Sequence, residues 1–308
     1  MHGILLVDKP EGITSNGLVQ LVRKIVRPAK VGHSGTLDSA ASGLMVLLIG
    51  AGTRALDYLD ESHKAYSMTV LLGEETDTGD REGNVIRTSD TSGIDATKIE
   101  EALQTYRGVV DQVPPHFSAL KKEGVRLYKL ARKGIFPELS PRKVEIFSLE
   151  MVGWAPPILE LEMICSKGTY ARALARDLGQ DLEVGARLEK LRRTASGQFR
   201  VENALTIEQM LSGGSKAISD HLISISTALA HIPDLQLQPA EIRKLTCGTG
   251  IPIARGRLPM HGAAENQVSR FFKTVSGNEE LLILLRPEPQ GVDVFLRPVK
   301  VFRTWEKE

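Results

Sequence analysis

At 308 residues, 42% hydrophobic and 25% charged, the chain has an ordinary soluble globular composition, long enough for one large domain or a large and a small one. Its 39 Lys and Arg against 38 Asp and Glu leave a net charge of +1, so a polyanionic partner has to be met by a local patch rather than by bulk charge. Cys165 and Cys247 stand far apart without ligand spacing, which argues against a disulfide framework and a zinc site, and MHGILLVDKPEG lacks the basic, long-apolar pattern of a signal peptide, so the composition describes a cytoplasmic, reduced, metal-free protein.

Residues 3–7 read as a buried strand, followed by the turn Asp8-Lys9-Pro10-Glu11-Gly12. Ser15 is placed to cap a helix to about residue 27, with Leu18, Leu21, Val22, Ile25 and Val26 as its apolar stripe and Pro28 as its stop. The next stretch, KVGHSGTLDSAASGLMVLLIG, changes character half-way. Gly32 to Ser39 are small, polar and glycine-rich, whereas residues 44–49 form an apolar run suited to a buried strand and far too short to span a bilayer. Asp38 therefore lies on a tight loop directly ahead of a core strand. Taken alone it is either an Asx-turn or capping carboxylate, or a rigidly presented catalytic one.

Residues 51–59 predict a short helix. Residues 64–72 alternate Tyr66, Met68, Val70 and Leu72 on one face of a half-buried strand, where Tyr66 is by itself an ordinary strand aromatic. GEETDTGDREG, residues 73–83, reads as an acidic solvated loop, because neither EF-hand spacing nor a Walker-type lysine loop accompanies it. Asp95 or Thr97 caps a helix to about Tyr106, with Ile99, Leu103 and Tyr106 inward. Between Ser118 and Lys143 there are eight Lys/Arg against two Glu, interleaved with Leu127, Tyr128 and Leu130. That is either a solvated, snorkelling face or the footprint of a phosphate-backbone contact, and local imbalance in a near-neutral chain favours the contact.

Residues 144–154 and 158–165 read as antiparallel strands joined at Ala155-Pro156-Pro157. The turn from Ser166 to Arg172 opens a helix through Leu182, and a glycine-rich turn at a helix N-terminus is a ready anion site. Thr206 caps a short helix that gives way to a turn at residues 212–215; residues 233–239 look like a linker, and 240–245 like a brief helix. Short strands at 280–285, 292–296 and 299–302 with turn signals between them suggest a small β-barrel.

GHSGTLDSAASGLMVLLIG resembles the active-site segment of the tRNA pseudouridine synthase B family, usually close to GHTGTLDPLATGVLPL. His33, Gly35, Thr36, Leu37, Asp38 and Gly43 match; Ser34 and Ser42 depart conservatively, and Ser39 stands where the family usually has proline. Other strings are similar in the same order. DKPEGITS resembles DKPxGxTS, LGEETDTGDREG resembles LGxxTDTGDxxG, and QVPPHFSALKKEGVRLYKLAR resembles QxPPxxSAxKxxGxRxYxxAR. CSKGTYARALARDLG resembles CSKGTYxRxLxxDLG, LEKLRR resembles the segment whose leucine lines the uracil pocket, and LRPVKVF resembles the end of the small C-terminal domain of bacterial members.

The resemblance implies an α+β protein: a mixed and antiparallel-sheet pseudouridine synthase catalytic domain over residues 1–232, with a thumb-like RNA-binding insertion at about 112–143, and a small PUA-like β-barrel over 233–308. It implies isomerisation of uridine to pseudouridine in the T-loop of tRNA, position 55 in tRNA convention, by base flipping. Asp38 takes the part of catalytic nucleophile. His33 falls near the flipped base, Tyr66 stacks on it, Tyr170 and Arg172 enter the active site, Leu191 lines the uracil pocket, and Lys9 is a further substrate-binding residue. Arg172 pairs with Asp38 through a planar fork that lysine could not reproduce. Lys121, Lys122, Arg126 and Lys129 fall on the RNA backbone.

The reaction breaks the N1–C1′ bond and rejoins the ribose to C5 of the same base, without net redox change, group donor or energy input, which matches an expectation of no cofactor and no metal. The carboxylate can attack C1′ or C6, or serve a glycal-type intermediate; all three routes stay open. The implied partner is the tRNA T-arm, with no membrane, no obligatory protein partner, and a monomeric enzyme. Two other readings compete: an RNA-guided synthase inside a ribonucleoprotein, and a non-catalytic RNA-binding or RNA-folding factor. The LYKLAR insertion and the absence of long basic tails weigh against the first, and Asp38 together with Arg172 against the second.

Overall fold

Apolar strands set the frame of the molecule, a computed structural model that describes residues 1–118, 120–259, 269–276, 281–290 and 293–303. GILLVDK folds as β1 (Gly3–Lys9); helix α1 (Ser15–Ile25), β2 (Val31–His33) and β3 (Ser42–Ile49) follow. β3 is buried along nearly its whole length, as a strand covered on both faces must be. A 3₁₀ helix over Gly50–Tyr58 stands where a short α-helix was expected. Next come β4 (Lys64–Leu72), the hairpin of β5 (Glu74–Thr76) and β6 (Val85–Thr88), α2 (Ala96–Gln104) and β7 (Gly108–Gln112). The basic insertion folds as a two-residue-per-strand hairpin, β8 (Lys121–Lys122) and β9 (Val125–Arg126), running into α3 (Leu127–Ala131). Leu127 and Ala131 are its buried anchors.

The long strands β10 (Arg142–Ala155) and β11 (Ile158–Cys165) are followed by α4 (Ala171–Asp181), β12 (Ala186–Ser196), β13 (Phe199–Arg200) and β14 (Leu205–Thr206). Together these strands make one mixed sheet in the order β14-β1-β3-β12-β4-β11-β10-β7, with β2 on β3 and β13 on β12. β1–β14 and β3–β12 are its parallel pairs. One core packs Met68, Val70, Leu161 and Met163 against Ile99 and Leu103 of α2 and Leu174 and Leu178 of α4. A second packs Leu5, Val7, Met45 and Leu47 against Leu18 and Val22 of α1.

β12 and β3 pair only at Arg192–Ser42 and Arg193–Gly43. Gly43 sits at the crossing with φ of 100°, and a Cβ there would lie 2.3 Å from the Arg193 carbonyl oxygen, so only glycine fits. The loop carrying Asp38 fills the space where the two strands part.

α5 (Ile207–Asp220) opens with the expected Thr206 cap, closed reciprocally by Gln209, and is broken by the non-helical backbone of Gly214, at φ 57° and ψ −143°, within the turn expected at 212–215. α6 (Ile225–Ala228) and α7 (Pro239–Thr246) lead to a four-stranded antiparallel sheet, β15 (Ile251–Ile253), β16 (Phe272–Ser276), β17 (Leu281–Gln290) and β18 (Asp293–Arg303), ordered β15-β18-β17-β16. Of the strands expected here, Glu280 and Val292 lie outside the described residues, and the two segments beyond 292 are one strand. The segment at 233–239 is not a free linker: Leu235 N–H donates to Lys273 O and Lys273 N–H to Pro233 O. Leu282, Leu284 and Phe302 share a core with Ile4, Leu44 and Val46 of the large sheet. Each such side chain is worth about 1.5–3 kcal/mol when fully buried, so the C-terminal sheet is docked rather than tethered. Among the described residues no helix is long and apolar enough to cross a membrane.

Candidate active site

The Asp38 loop is short and polar, so its backbone groups have to find partners outside any ladder. They find them in the first turn of the chain. Gly12 N–H donates to Ser39 O at 2.8 Å, and Lys9 Nζ reaches the carbonyls of Pro10 and Ile13 at 2.9 Å each and of Ser39 at 3.5 Å. Ser15, expected to cap α1, does something else. Thr14 caps the helix through Gly17 N–H, while the buried Ser15 hydroxyl accepts from Leu37 N–H at 2.8 Å and donates to Leu37 O at 2.7 Å. The residue before Asp38 is thus clamped at both its backbone groups by one side chain, and Ala41 N–H closes the turn on Asp38 O at 3.2 Å.

Arg172 enters from the first turn of α4, whose apolar residues face the core, and is itself buried. Its Nη2 lies 2.8 Å from Asp38 Oδ2 and donates to Phe117 O at 2.8 Å; Nη1 donates to Thr78 O at 3.3 Å and lies 3.6 Å from Asp80 Oδ2. The guanidinium is 7% exposed and the Asp38 side chain 49%, so the cation is fixed inside the protein and the carboxylate faces outward. Asp38 is therefore presented on the loop rather than buried in it, and any desolvation has to come from what enters the pocket. The DTGD segment is not a solvated loop either. Asp80 is 8% exposed and, with Thr78 O, forms the wall behind Arg172. Tyr170, the residue before α4, is held by the buried Gln112 amide, which accepts from Tyr170 N–H at 2.8 Å and donates to Tyr170 O at 3.1 Å.

Asp38, Lys64, Tyr66, Ser118, Tyr170, Arg172 and Leu191 line one pocket of about 230 Å³. Tyr66 and Leu191 come from β4 and β12, and Arg193 pairs across from Tyr66. Burial pushes the Tyr66 hydroxyl up from its usual pKa, with the Arg193 guanidinium opposing it, and burial likewise raises Tyr170. Both phenols stay neutral.

The TruB family pseudouridylate synthase N-terminal domain matches residues 23–171, and the tRNA pseudouridylate synthase B C-terminal domain matches 172–230. The tRNA pseudouridine synthase B of Syntrophotalea carbinolica is 42% identical over 252 residues, 82% of each chain; that of Dehalococcoides mccartyi is 37% identical over 98% of this chain and 97% of its own. The chain belongs to the tRNA pseudouridine synthase B family. Uridine-to-pseudouridine isomerisation in tRNA is the activity its site has to account for. A solved Cbf5-Nop10-Gar1 complex contains a chain of the same fold, with a TM-score of 0.72 at 22% identity over 98% of this chain and 85% of that one.

Within this synthase family site, Asp38, Tyr66, Tyr170, Arg172 and Leu191 meet in the pocket, and two expected residues do not. His33 stands on β2, opposite Leu47, and burial holds its imidazole below the usual pKa. Lys9 is 0% exposed, so its ammonium is out of reach of a substrate and braces the Asp38 loop from beneath; burial also lowers its pKa, against the pull of Asp38. Lys121, Arg126 and Lys129 are exposed on the insertion, while Lys122 Nζ turns back to Glu138 O at 2.8 Å. Sequence reasoning missed Ser15, Asp80, Gln112, Lys64 and Arg193 as parts of the site. Gln112 and Lys64 each open a string that drew attention for other residues, which was the available signal.

Proposed function

We propose that this synthase converts the T-loop uridine of tRNA, position 55 in tRNA convention, to pseudouridine, with the everted uracil in the pocket between Tyr66, Tyr170 and Leu191 and with Asp38 as nucleophile. The observation that carries the reading is the fixed Arg172 fork on Asp38 Oδ2 at the pocket mouth. Arg172 holds the carboxylate through Oδ2, and the half-exposed Asp38 side chain opens on the pocket where it can react. With Asp38 bonding to C1′ as the N1–C1′ bond breaks, the uracil leaves with the electron pair; the base turns within the pocket, C5 displaces the carboxylate from C1′, the C5 proton leaves and N1 gains one. Atoms and charge balance without a cofactor. Stacking on Tyr66 and phosphate contacts along Lys121, Arg126 and Lys129 offset the few kcal/mol that everting a base costs, about 1–3 kcal/mol coming from each stacked base. His33 sits beside the loop and helps hold the T-loop open.

On the same reading, residues 1–232 form the catalytic domain and the C-terminal sheet belongs to a PUA-like RNA-binding barrel. The enzyme works as a cytoplasmic monomer without a protein partner. Similarity to the Dehalococcoides mccartyi tRNA pseudouridine synthase B over 98% of this chain supports taking the C-terminal region as part of the same enzyme. The test is to incubate the protein alone with unmodified tRNA transcript and map pseudouridine by carbodiimide-based primer extension. A single stop at the T-loop uridine is expected. No product, or product only when a guide RNA or second protein is added, overturns the reading.

A further inference from the structure

Lys64 opens β4 two residues before Tyr66, so both side chains leave the same face of the strand and both line the pocket. Its ammonium makes no hydrogen bond or ion pair with any described residue. The other inward lysines are served: Lys9 by three carbonyls, and Lys273 by Leu229 O, Ile232 O and Asp234. Gly35, three residues before Asp38, shows where the Lys64 head lies. A Cβ on Gly35 would stand 3.2 Å from Lys64 Nζ and 3.5 Å from Arg193 Nη1, so two cationic heads converge on the bare Cα of this glycine. Arg193 is already committed, through Nε to Leu44 O at 2.8 Å and through Nη2 to Gly35 O at 3.3 Å. Lys64 is the charge left over. Burial lowers its pKa and Arg193 and Lys167 lower it further, with Glu61 the main acid in opposition and not within ion-pair distance. The ammonium opens on the pocket, where water completes it in the free protein and an entering anionic oxygen can take that place beside the guanidinium.

We propose that Lys64 is a substrate-binding residue whose ammonium seats an oxygen of one of the two phosphodiesters flanking the everted uridine. The assignment rests on the function proposed above. A neutral uracil carbonyl would accept a hydrogen bond but leave the repulsion with Arg193 in place, whereas a phosphodiester neutralises it. Eversion brings the flanking backbone to the pocket that receives the base, whose wall carries Lys64 as well as the Asp38–Arg172 pair. Gly35 is small because both cations have to reach that wall.

The test uses T-arm hairpin RNAs carrying an uncharged methylphosphonate at the linkage 5′ or 3′ of the target uridine, with equilibrium binding to the wild-type protein, Lys64→Gln and Lys64→Arg. On the all-phosphodiester hairpin Lys64→Gln is expected to bind roughly tenfold more weakly, the scale of one charge-assisted hydrogen bond, and to lose about 0.7 from the slope of log affinity against log salt. Neutralising the linkage that Lys64 holds should weaken wild type and Lys64→Arg similarly and leave Lys64→Gln unchanged. The thermal midpoint of Lys64→Gln should match or exceed wild type, since the unpaired cation is gone. Equal losses for Lys64→Gln on all hairpins, or no loss on any, overturn the assignment. Pseudouridine formed by wild type on the unmodified hairpin checks the underlying function separately: its absence sinks that reading, whereas its presence without the coupling sinks only the part given to Lys64.

Discussion

Replacing Arg172 by lysine keeps the charge and removes the geometry. The guanidinium serves four acceptors from two nitrogens: Asp38 Oδ2 and Phe117 O at 2.8 Å from Nη2, and Thr78 O at 3.3 Å and Asp80 Oδ2 at 3.6 Å near Nη1. A lysine ammonium is one compact head that cannot face both sides of this site. At least one buried carbonyl loses its donor, at about 1–3 kcal/mol, and the Asp80 carboxylate, still held by the Thr78 hydroxyl and Glu82 N–H, loses its counter-charge. The expected loss of stability is therefore about 2–5 kcal/mol, or roughly 3–8 °C in unfolding midpoint for a chain of this size. Asp38 loses the fork that aims it, and misplacing a reacting group by about 1 Å can cost on the order of 100-fold in rate. Single-turnover pseudouridine formation at saturating tRNA reads the second effect, and a thermal melt of the same preparation reads the first. A variant that melts with the wild type and turns over at a similar rate would refute the four-acceptor account of Arg172.

Asp38→Asn should abolish turnover, keep tRNA affinity within a few-fold and cost no more than about 1 kcal/mol of stability, because the carboxylate is half-exposed and Arg172 retains Asp80 and two carbonyls; pseudouridine at near wild-type rate would remove the nucleophile assignment. Ser15→Ala leaves the Leu37 N–H and carbonyl without their buried partner, so a loss of about 1–3 kcal/mol and a fall in kcat larger than any rise in KM are expected in melts and steady-state kinetics. Neutralising Lys121, Lys122, Arg126 and Lys129 together should lower the slope of log affinity against log salt by about 0.7–0.9 for every phosphate no longer neutralised, and an unchanged slope means the insertion is only a solvated face. Tyr66→Ala should do the reverse in the same titration, keeping the salt slope and losing the roughly 1–3 kcal/mol of a stacked base.

The sheet and its helices were legible because their signal is local. β4 alternates as a strand should, and α1 and α2 carry apolar stripes that stop at Pro28 and after Gln104. The pairing of Asp38 with Arg172 was legible only through the resemblance, since no periodicity links the two residues. What stayed hidden depends on partners remote in sequence. DTGD is acidic and turn-rich, and composition alone sends it to solvent; the fold sets Asp80 against a buried guanidinium instead. Ser15 follows Thr14, and either hydroxyl could cap α1; the choice was made by Leu37, whose backbone needed the other one. In sequence β18 reads as two strands because Pro298 cannot donate to a ladder. The register shift opposite Leu284 and Leu285 bulges the chain there, so the proline is carried inside one strand.

The serine after Asp38 shows how the same loop is fixed by other means. The family usually places proline there, and a proline would hold φ of its own accord. Here Ser39 leaves that torsion free and is anchored from three directions: its carbonyl takes Gly12 N–H and Lys9 Nζ, and its hydroxyl reaches Glu82 at 3.1 and 3.3 Å. The hydroxyl contact is exposed and worth at most about 1 kcal/mol, so the buried lysine and the backbone bond carry most of the restraint. Lys9 therefore braces the Asp38 loop without lining the pocket. It converts the burial of one ammonium into a fixed position for the residue beside Asp38, and the strand-to-helix turn of the first motif becomes the floor on which the second motif rests.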